Sequence, residues 1–370
     1  MEKTVKFDIR DYYHILSPDF PEFICRYAKL PILQRLAGVG LLCGTDWTPL
    51  YHNRFFYSRL DHSIGVALII WNFTHDRIQS IAGLLHDVST PAFSHVSDFR
   101  NGDVLKQEST EDANARMIFA DRNLNRYLRE DGIDVQLVSD YHRYPIADNE
   151  IPRLSADRLE YMFPSGMVLN GSWDMESTTA AYRDIVLCRN EQGMPEPGFR
   201  TAEIAADYCR RCCAVGLMLQ KNENKLALQL MAKVLTCALE AGIIQETDCF
   251  LMDEASIIQR FENAAAESGK TKDFDEFSRY FKTFRTMKAV MHGDYPQPDA
   301  FCVSLDVKKR YIDPLAVCGK KTDGLYASCR ITAVLPEAAE YVREFLSFRD
   351  TKFGCVPYST QLAASDWLNS

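Results

Sequence analysis

A mostly α-helical protein carrying a small α+β appendage at its C-terminal end is the fold class that the sequence predicts. Three observations carry this. Apolar residues recur at helical spacing along most of the chain before residue 297. Helix-starting residues stand ahead of these runs, with Asp61 and Asp76 before two of them and Pro31 placed at the start of a third. After about Gln297 the pattern changes, and Phe301-Cys-Val-Ser-Leu-Asp-Val and Tyr326-Ala-Ser-Cys-Arg-Ile-Thr-Ala-Val alternate or cluster β-forming residues.

Taken in order, Phe23, Ile24, Tyr27, Leu30, Ile32, Leu33, Leu36 and Val39 mark two short helices between Pro21 and Leu42. Gly44 to Arg54 is rich in turn residues and predicts a loop. Asp61 opens a helix to about Phe73, whose apolar run is too short to cross a bilayer and reads as a buried core helix. A helix from Asp76 to about Ser89 follows, stopped by Pro91. Glu108 to Glu130 predicts one long amphipathic helix, and Arg153 to Phe163 a short one. The breaker-rich run Asn190 to Gly198 predicts a loop or boundary. Thr201 to Ala241 and Asp253 to Met291 are helical again, and Pro336 to Phe348 predicts a helix near the tail. The chain is thus expected to divide into a core over 1–190, a helical extension packed on it over 199–296, and the α+β appendage over 297–370.

The length of 370 residues exceeds the roughly 250–300 at which a single core stops growing, so a sizeable interior is expected. Hydrophobic residues at 46% and charged ones at 25% match a chain folded nearly throughout. With 42 Lys+Arg against 51 Asp+Glu the net charge is −9, which disfavours broad contact with nucleic-acid backbones or anionic lipid. A nucleotide, needing only a local basic pocket, is compatible with this balance. The 12 cysteines are scattered singly apart from Cys209, Cys212 and Cys213, and are expected to be reduced thiols in a cytoplasm. The Cys-x-x-Cys within that cluster lies in an Ala/Leu-rich helix without a second pair, so it reads as core packing. No apolar run follows the basic residues at the start, and no secretory leader is expected.

The residues that carry chemistry begin with His86-Asp87, at the end of Ile81-Ala-Gly-Leu-Leu, where both side chains can point off one helix terminus toward a shared point. Imidazole and carboxylate together suit a mid-row divalent ion. Alone, such a pair is ordinarily a histidine bonded to its neighbour. Here it has Ser58-Arg-Leu-Asp-His62-Ser-Ile-Gly-Val upstream, Pro91-Ala-Phe-Ser-His95 after it, and Ser155-Ala-Asp157-Arg158-Leu-Glu-Tyr161 far along the chain. The order His, then His-Asp, then a distant Asp resembles the HD superfamily of metal-dependent phosphohydrolases. The flanks Gln34-Arg-Leu, Leu84-Leu-His-Asp-Val-Ser-Thr-Pro-Ala-Phe-Ser-His and Ala156-Asp-Arg-Leu-Glu-Tyr look like its deoxynucleoside-triphosphate triphosphohydrolase branch, over roughly the first half of the chain.

This resemblance implies an HD-domain helical bundle over 1–190, with one divalent metal ion (Mn, Fe, Ni, Zn, Co or Mg) held by His62, His86, Asp87 and Asp157. It implies that Arg59 touches a substrate phosphate, that His95 and Asp98 line the reaction side, and that Arg158 and Tyr161 lie near the nucleotide. A homo-oligomer is reasonable on the same ground. The chemistry stands independently, since a divalent ion acidifies its water and polarises a phosphoryl oxygen, while an arginine offers phosphate a planar fork of donors.

The sequence also departs from the family pattern. Ser89-Thr90 replaces a Gly-His, a further family histidine falls near Gln107, and Leu41 stands where the triphosphohydrolases carry a sugar-recognising glutamine. Glu108 and Glu111 share a helical face and are either a solvated surface or substitutes for the lost histidines. His52 and Arg54 read as ordinary loop residues, and His14, His75, His142 and His292 are assigned no role. Two functions are expected to compete. One is a metal-dependent phosphohydrolase acting on a nucleotide (dNTP-like) or another small phosphorylated compound. The other is an HD scaffold that binds a nucleotide or phosphate ligand as a sensor, with little or no hydrolysis.

Overall fold

The computed structural model describes residues 7–105, 111–267 and 272–359. Seventeen α-helices and seven strands occur among the described residues, and the site depends on three of the helices. The first, Arg59–Thr74, starts with a reciprocal cap in which Ser58 Oγ accepts from Asp61 N at 3.0 Å and Asp61 Oδ2 accepts from Ser58 N at 3.1 Å. It ends at His75, whose φ of 51° turns the chain left-handed. The second, Arg77–Leu85, is capped by Asp76, which accepts from Ile78 N and Gln79 N. The two helices pack closely because Gly83 has no side chain; a Cβ there would stand 2.3 Å from Ile70 Cδ1. The third, Ala156–Leu169, is capped by Ser155 and also packs against Arg59–Thr74.

Buried apolar residues form two main cores. Leu68 to Ile70, Leu84, Leu85, Leu159, Met162 and Phe163 belong to the first, which also takes in Tyr208 of Ala202–Gln220 and Phe345 of Pro336–Ser347. Asn222–Glu240, Glu254–Ala266 and Lys272–Thr286 build the second, together with Phe93, Val96 and Phe99. Val88 sits in the first core and Ala92 in the second. The chain therefore crosses between cores at Ser89-Thr90-Pro91, immediately after His86-Asp87, and this seam is where the cleft opens.

Several expectations need correction. The predicted helix over 108–130 is two helices among the described residues, Glu111–Ala120 and Arg122–Glu130. Asp121 separates them because its carboxylate accepts from Leu124 N at 2.7 Å and so starts a new helix. The run 190–198 is not merely a loop. Ile185–Arg189 and Pro195–Phe199 pair antiparallel across it, and each pairs in parallel with one strand of the hairpin Leu315–Thr322/Leu325–Arg330, closing a four-stranded barrel. Met291–Gly293, Phe353–Pro357 and Ala300–Val303 form a second, antiparallel sheet. The described chain is thus mostly α with two sheets, and the strands are not confined to the stretch after residue 297. The cysteines are not all thiols either: Cys302 and Cys355, directly opposite on paired strands, form a disulfide. Cys209, Cys212 and Cys213 are buried in the first core, as packing predicts. No helix among the described residues is long and apolar enough to cross a membrane.

Candidate metal centre and its cleft

Four side chains from separate stretches meet at one point. His62 comes from the first turn of Arg59–Thr74, His86 and Asp87 from just past the end of Arg77–Leu85, and Asp157 from the first turn of Ala156–Leu169. His62 Nε2 lies 3.2 Å from His86 Nε2, 3.0 Å from Asp157 Oδ1 and 3.9 Å from Asp87 Oδ2. His86 Nε2 lies 3.7 Å from each of the two carboxylate oxygens. Donor atoms of His62, His86 and Asp87 are all within 4.8 Å of one another.

The hydrogen bonds behind these rings decide what they present. His86 Nδ1 is 2.7 Å from Gly83 O, a carbonyl that can only accept, so Nδ1 carries the proton. His62 Nδ1 likewise donates to Glu160 Oε2 at 2.5 Å. With both rings neutral the two Nε2 lone pairs face each other beside two carboxylate oxygens, a repulsion that either a proton on His62 Nε2 or a cation held among the four relieves. The separations are those of donors roughly 2.0–2.2 Å from a common centre. The residues present therefore fit one divalent ion.

Glu160 was not singled out from the sequence. It is fully buried and accepts from Tyr57 OH at 2.6 Å and Tyr12 OH at 3.1 Å as well as from His62. Such a carboxylate fixes the ring's tautomer and orientation and makes Nε2 a better ligand. Burial alone would lower the His62 pKa, but Glu160 and Asp157 outweigh it and raise it to about 10. Gly65 makes room for this carboxylate, since a Cβ there would stand 2.6 Å from Glu160 Oε1. Burial pushes the Asp87 carboxyl up, yet Arg59 and the two imidazoles hold it well below the usual carboxylate range.

Beside the centre runs a cleft of about 950 Å³ lined by Arg59, Thr90, His95, Tyr161, Lys308 and Arg310 among others. Arg59 donates through Nη1 to Asp87 Oδ2 at 2.8 Å and through Nε to Ser94 Oγ at 3.1 Å, so part of its fork is engaged with the metal quartet. Thr90, at the position where the resemblance leads one to expect a histidine, donates through Oγ1 to Asp87 Oδ1 at 2.8 Å and locks that carboxylate. Phe93 and Ser94 adopt φ of 64° and 51°, a left-handed turn that returns His95 to the cleft. His95 Nδ1 meets the buried Asp98 Oδ2 at 2.8 Å. Burial, with Arg310 and Arg59 nearby, pulls the His95 pKa down against the pull of Asp98, which favours a neutral, proton-accepting ring. Arg158 lines the cleft but spends its donors on Asn149, Asp148 and the Arg153 carbonyl, and so builds the wall. Leu41 lines a smaller, apolar chamber of about 120 Å³ that adjoins the cleft through Arg59, His95, Tyr161, Lys308 and Arg310.

Lys308 and Arg310 come from the stretch expected as an appendage, where the local signal for them is the basic run Lys308-Lys309-Arg310. His142, assigned no role from spacing, also lines the cleft. His52 and Arg54 line neither cavity. Gln107 and Glu108 lie outside the described residues, as does the side chain of Glu111.

No protein-family profile matches the chain. It is 26% identical over 209 residues to the uncharacterized protein YdhJ of Bacillus subtilis, a stretch covering 55% of this chain and 61% of that protein. It is 31% identical over 104 residues to the metal-dependent phosphohydrolase cns2 of Cordyceps militaris, covering 28% of this chain and 30% of that one. The matches thus span less than two thirds of either relative. Two crystal structures share the fold. One is a phosphohydrolase of Bacteroides thetaiotaomicron, at a TM-score of 0.58 and 13% identity over 94% of this chain and 95% of that one. The other is a hypothetical protein of Aquifex aeolicus, at 0.59 and 15% over 92% of each.

Proposed function

We propose that this chain is an HD-type metal-dependent phosphohydrolase that hydrolyses a nucleotide or another small phosphorylated compound. The observation that carries the reading is the pair of facing Nε2 atoms flanked by two carboxylates, opening onto a cleft walled by Arg59, Lys308 and Arg310. A divalent ion held there would supply Lewis acidity toward a phosphoryl oxygen and an acidified water. The chain's own cations supply the rest: they concentrate positive charge around an anionic ligand in spite of the net charge of −9. His95, held by Asp98, is placed to take up a proton. The likeness to the Cordyceps metal-dependent phosphohydrolase and to the Bacteroides phosphohydrolase supports the same chemistry.

The test is a screen of purified protein with Mn²⁺, Fe²⁺, Ni²⁺, Zn²⁺, Co²⁺ or Mg²⁺ against nucleotides, deoxynucleotides and small phosphomonoesters, with products resolved by chromatography. Metal-dependent turnover that disappears in His86→Ala and Asp87→Ala, together with the bound metal, supports the reading. The loss of a proton-transferring histidine at Thr90 favours one alternative, an HD scaffold that senses a phosphate ligand. Nucleotide binding without turnover of any compound would select it.

A further inference from the structure

The smaller chamber beside the cleft takes no part in the hydrolytic chemistry. Arg59, His95, Tyr161, Lys308 and Arg310 line both cavities, so the chamber opens directly off the cleft. Beyond these five its wall is mostly carbon, from Leu41, Leu169, Met218, Leu219, Leu228 and Val307 among others. Among the described residues it has no charged side chain of its own. Leu41 belongs to the first core and Leu228 and Val307 to the second, so the chamber is a space left in the seam between them. Asn224 turns its amide to the Leu219 carbonyl at 3.0 Å, and Thr45 Oγ1 accepts from Asn53 Nδ2 at 3.2 Å. Burial pushes the Cys43 thiol and the Tyr51 phenol up, so both line the space uncharged. One helix joins the chamber to the metal centre. Tyr161, Ser165 and Leu169 follow Asp157 at four-residue intervals along Ala156–Leu169 and stand about 6, 12 and 18 Å from it along the axis.

We propose that this chamber receives a compact apolar group, of about five or six carbons, belonging to the compound whose phosphate lies in the cleft. The inference rests on the phosphohydrolase reading and names its substrate class, a phosphate ester of a small hydrophobic alcohol. The size follows from the volume. An apolar cavity of roughly 150 Å³ holds one benzene ring, so a chamber of about 120 Å³ takes a short or branched chain or a single small ring. The polarity follows from the wall. A sugar carries a hydroxyl on most of its carbons and would press several of them against leucine and methionine, where each hydrogen bond given up to leave water is lost. An alkyl or aryl group loses nothing there and removes its surface from water. The helix sets out the same gradient, with a carboxylate at the metal centre, a phenol where the two cavities meet and a leucine at the far end. A ligand anionic at one end and apolar at the other matches it.

The experiment titrates Mn²⁺-loaded protein calorimetrically with ethyl-, butyl- and hexylphosphonate, whose P–C bond is not hydrolysed. Affinity is expected to rise about threefold or more for each methylene that enters the chamber, so that hexylphosphonate binds at least about tenfold more tightly than ethylphosphonate. Leu169→Gln and Leu219→Gln place an amide in the wall at half-buried positions that can accommodate it. Both variants should flatten the rise while binding ethylphosphonate as wild type does. Equal affinities across the series in wild type, or no binding of hexylphosphonate, overturns the inference. A rise in both variants as steep as in wild type overturns it too, because the chain is then buried elsewhere. If a variant does not fold, the wild-type series decides by itself. Binding needs no turnover, so the two failures are distinguishable: no turnover in the metal-supplemented screen removes the phosphohydrolase reading, and a flat series removes this one.

Discussion

Glu160→Gln isolates the carboxylate behind the metal centre while keeping its shape. Glu160 accepts three hydrogen bonds, from His62 Nδ1, Tyr57 OH and Tyr12 OH, in a fully buried position. An amide has one accepting oxygen and a donating NH₂, so the Oε2 position that receives the His62 proton and the Oε1 position that receives the two hydroxyls cannot both be satisfied. A buried donor left without a partner costs roughly 1–3 kcal/mol of folding stability. The ring also loses the group that fixes its tautomer, and changes of this kind typically weaken metal affinity about 10–100-fold. Each tenfold of affinity is about 1.4 kcal/mol, so metal should stabilise the variant by roughly 1.4–2.8 kcal/mol less than it stabilises wild type at saturation. Chelator competition gives the affinity, and urea unfolding with and without metal gives the stabilisation. Gly65→Ala should move both readings the same way, because its Cβ would displace Glu160 Oε1. A folded Glu160→Gln that binds metal as tightly as wild type would refute the assignment of Glu160 to the centre.

His95→Ala should keep its metal and lose about 10²–10⁴-fold in turnover of whichever phosphate the screen identifies; undiminished turnover at matched metal content would move the accepting step to another group. Arg310→Ala should weaken binding of that phosphate while leaving metal content unchanged, as read by isothermal titration, and unchanged binding would remove Arg310 from the ligand's surroundings. Glu254 is fully buried and accepts from Gly40 N, Phe93 N and Trp47 Nε1, tying the second core to the loops that carry Ser94 and His95. Burial, opposed by the Trp47 bond and aided by Asp46, raises its pKa from 4.5 to about 7. With the folded value above the unfolded one, its contribution is fully present below pH 4.5 and lost as pH rises through about 7. Wild type should therefore lose stability relative to Glu254→Gln over that window, as compared by urea midpoints; a constant difference between the two proteins across it would contradict the raised value.

What the sequence by itself determined was whatever short-range rules govern. Asp76 and Ser155 begin helices because a side-chain oxygen can satisfy an end-of-helix N–H two or three residues on. Pro91 and the residues after it bring His95 back because the turn is local. The four metal-ligating candidates were named from the resemblance of their order along the chain, His, then His-Asp, then a distant Asp, to the HD superfamily, and in the structure each falls at a helix end. Partners chosen by packing were not legible. Glu160 meets His62 across 98 positions, and Glu254 reaches Gly40 across 214, with nothing in either neighbourhood to announce the match. The destination of Lys308 and Arg310 was not legible either, for their basic run is carried into the cleft by a stretch that reads locally as an appendage, nor was the pairing of 185–199 with 315–330. Such contacts form only once two cores and the seam between them exist, because burial turns a distant carboxylate, hydroxyl or imidazole into an obligatory hydrogen-bond partner. Tertiary structure alone therefore decided what orients the candidate ligands and that Lys308, Arg310 and His142 join Arg59 and His95 at the cleft.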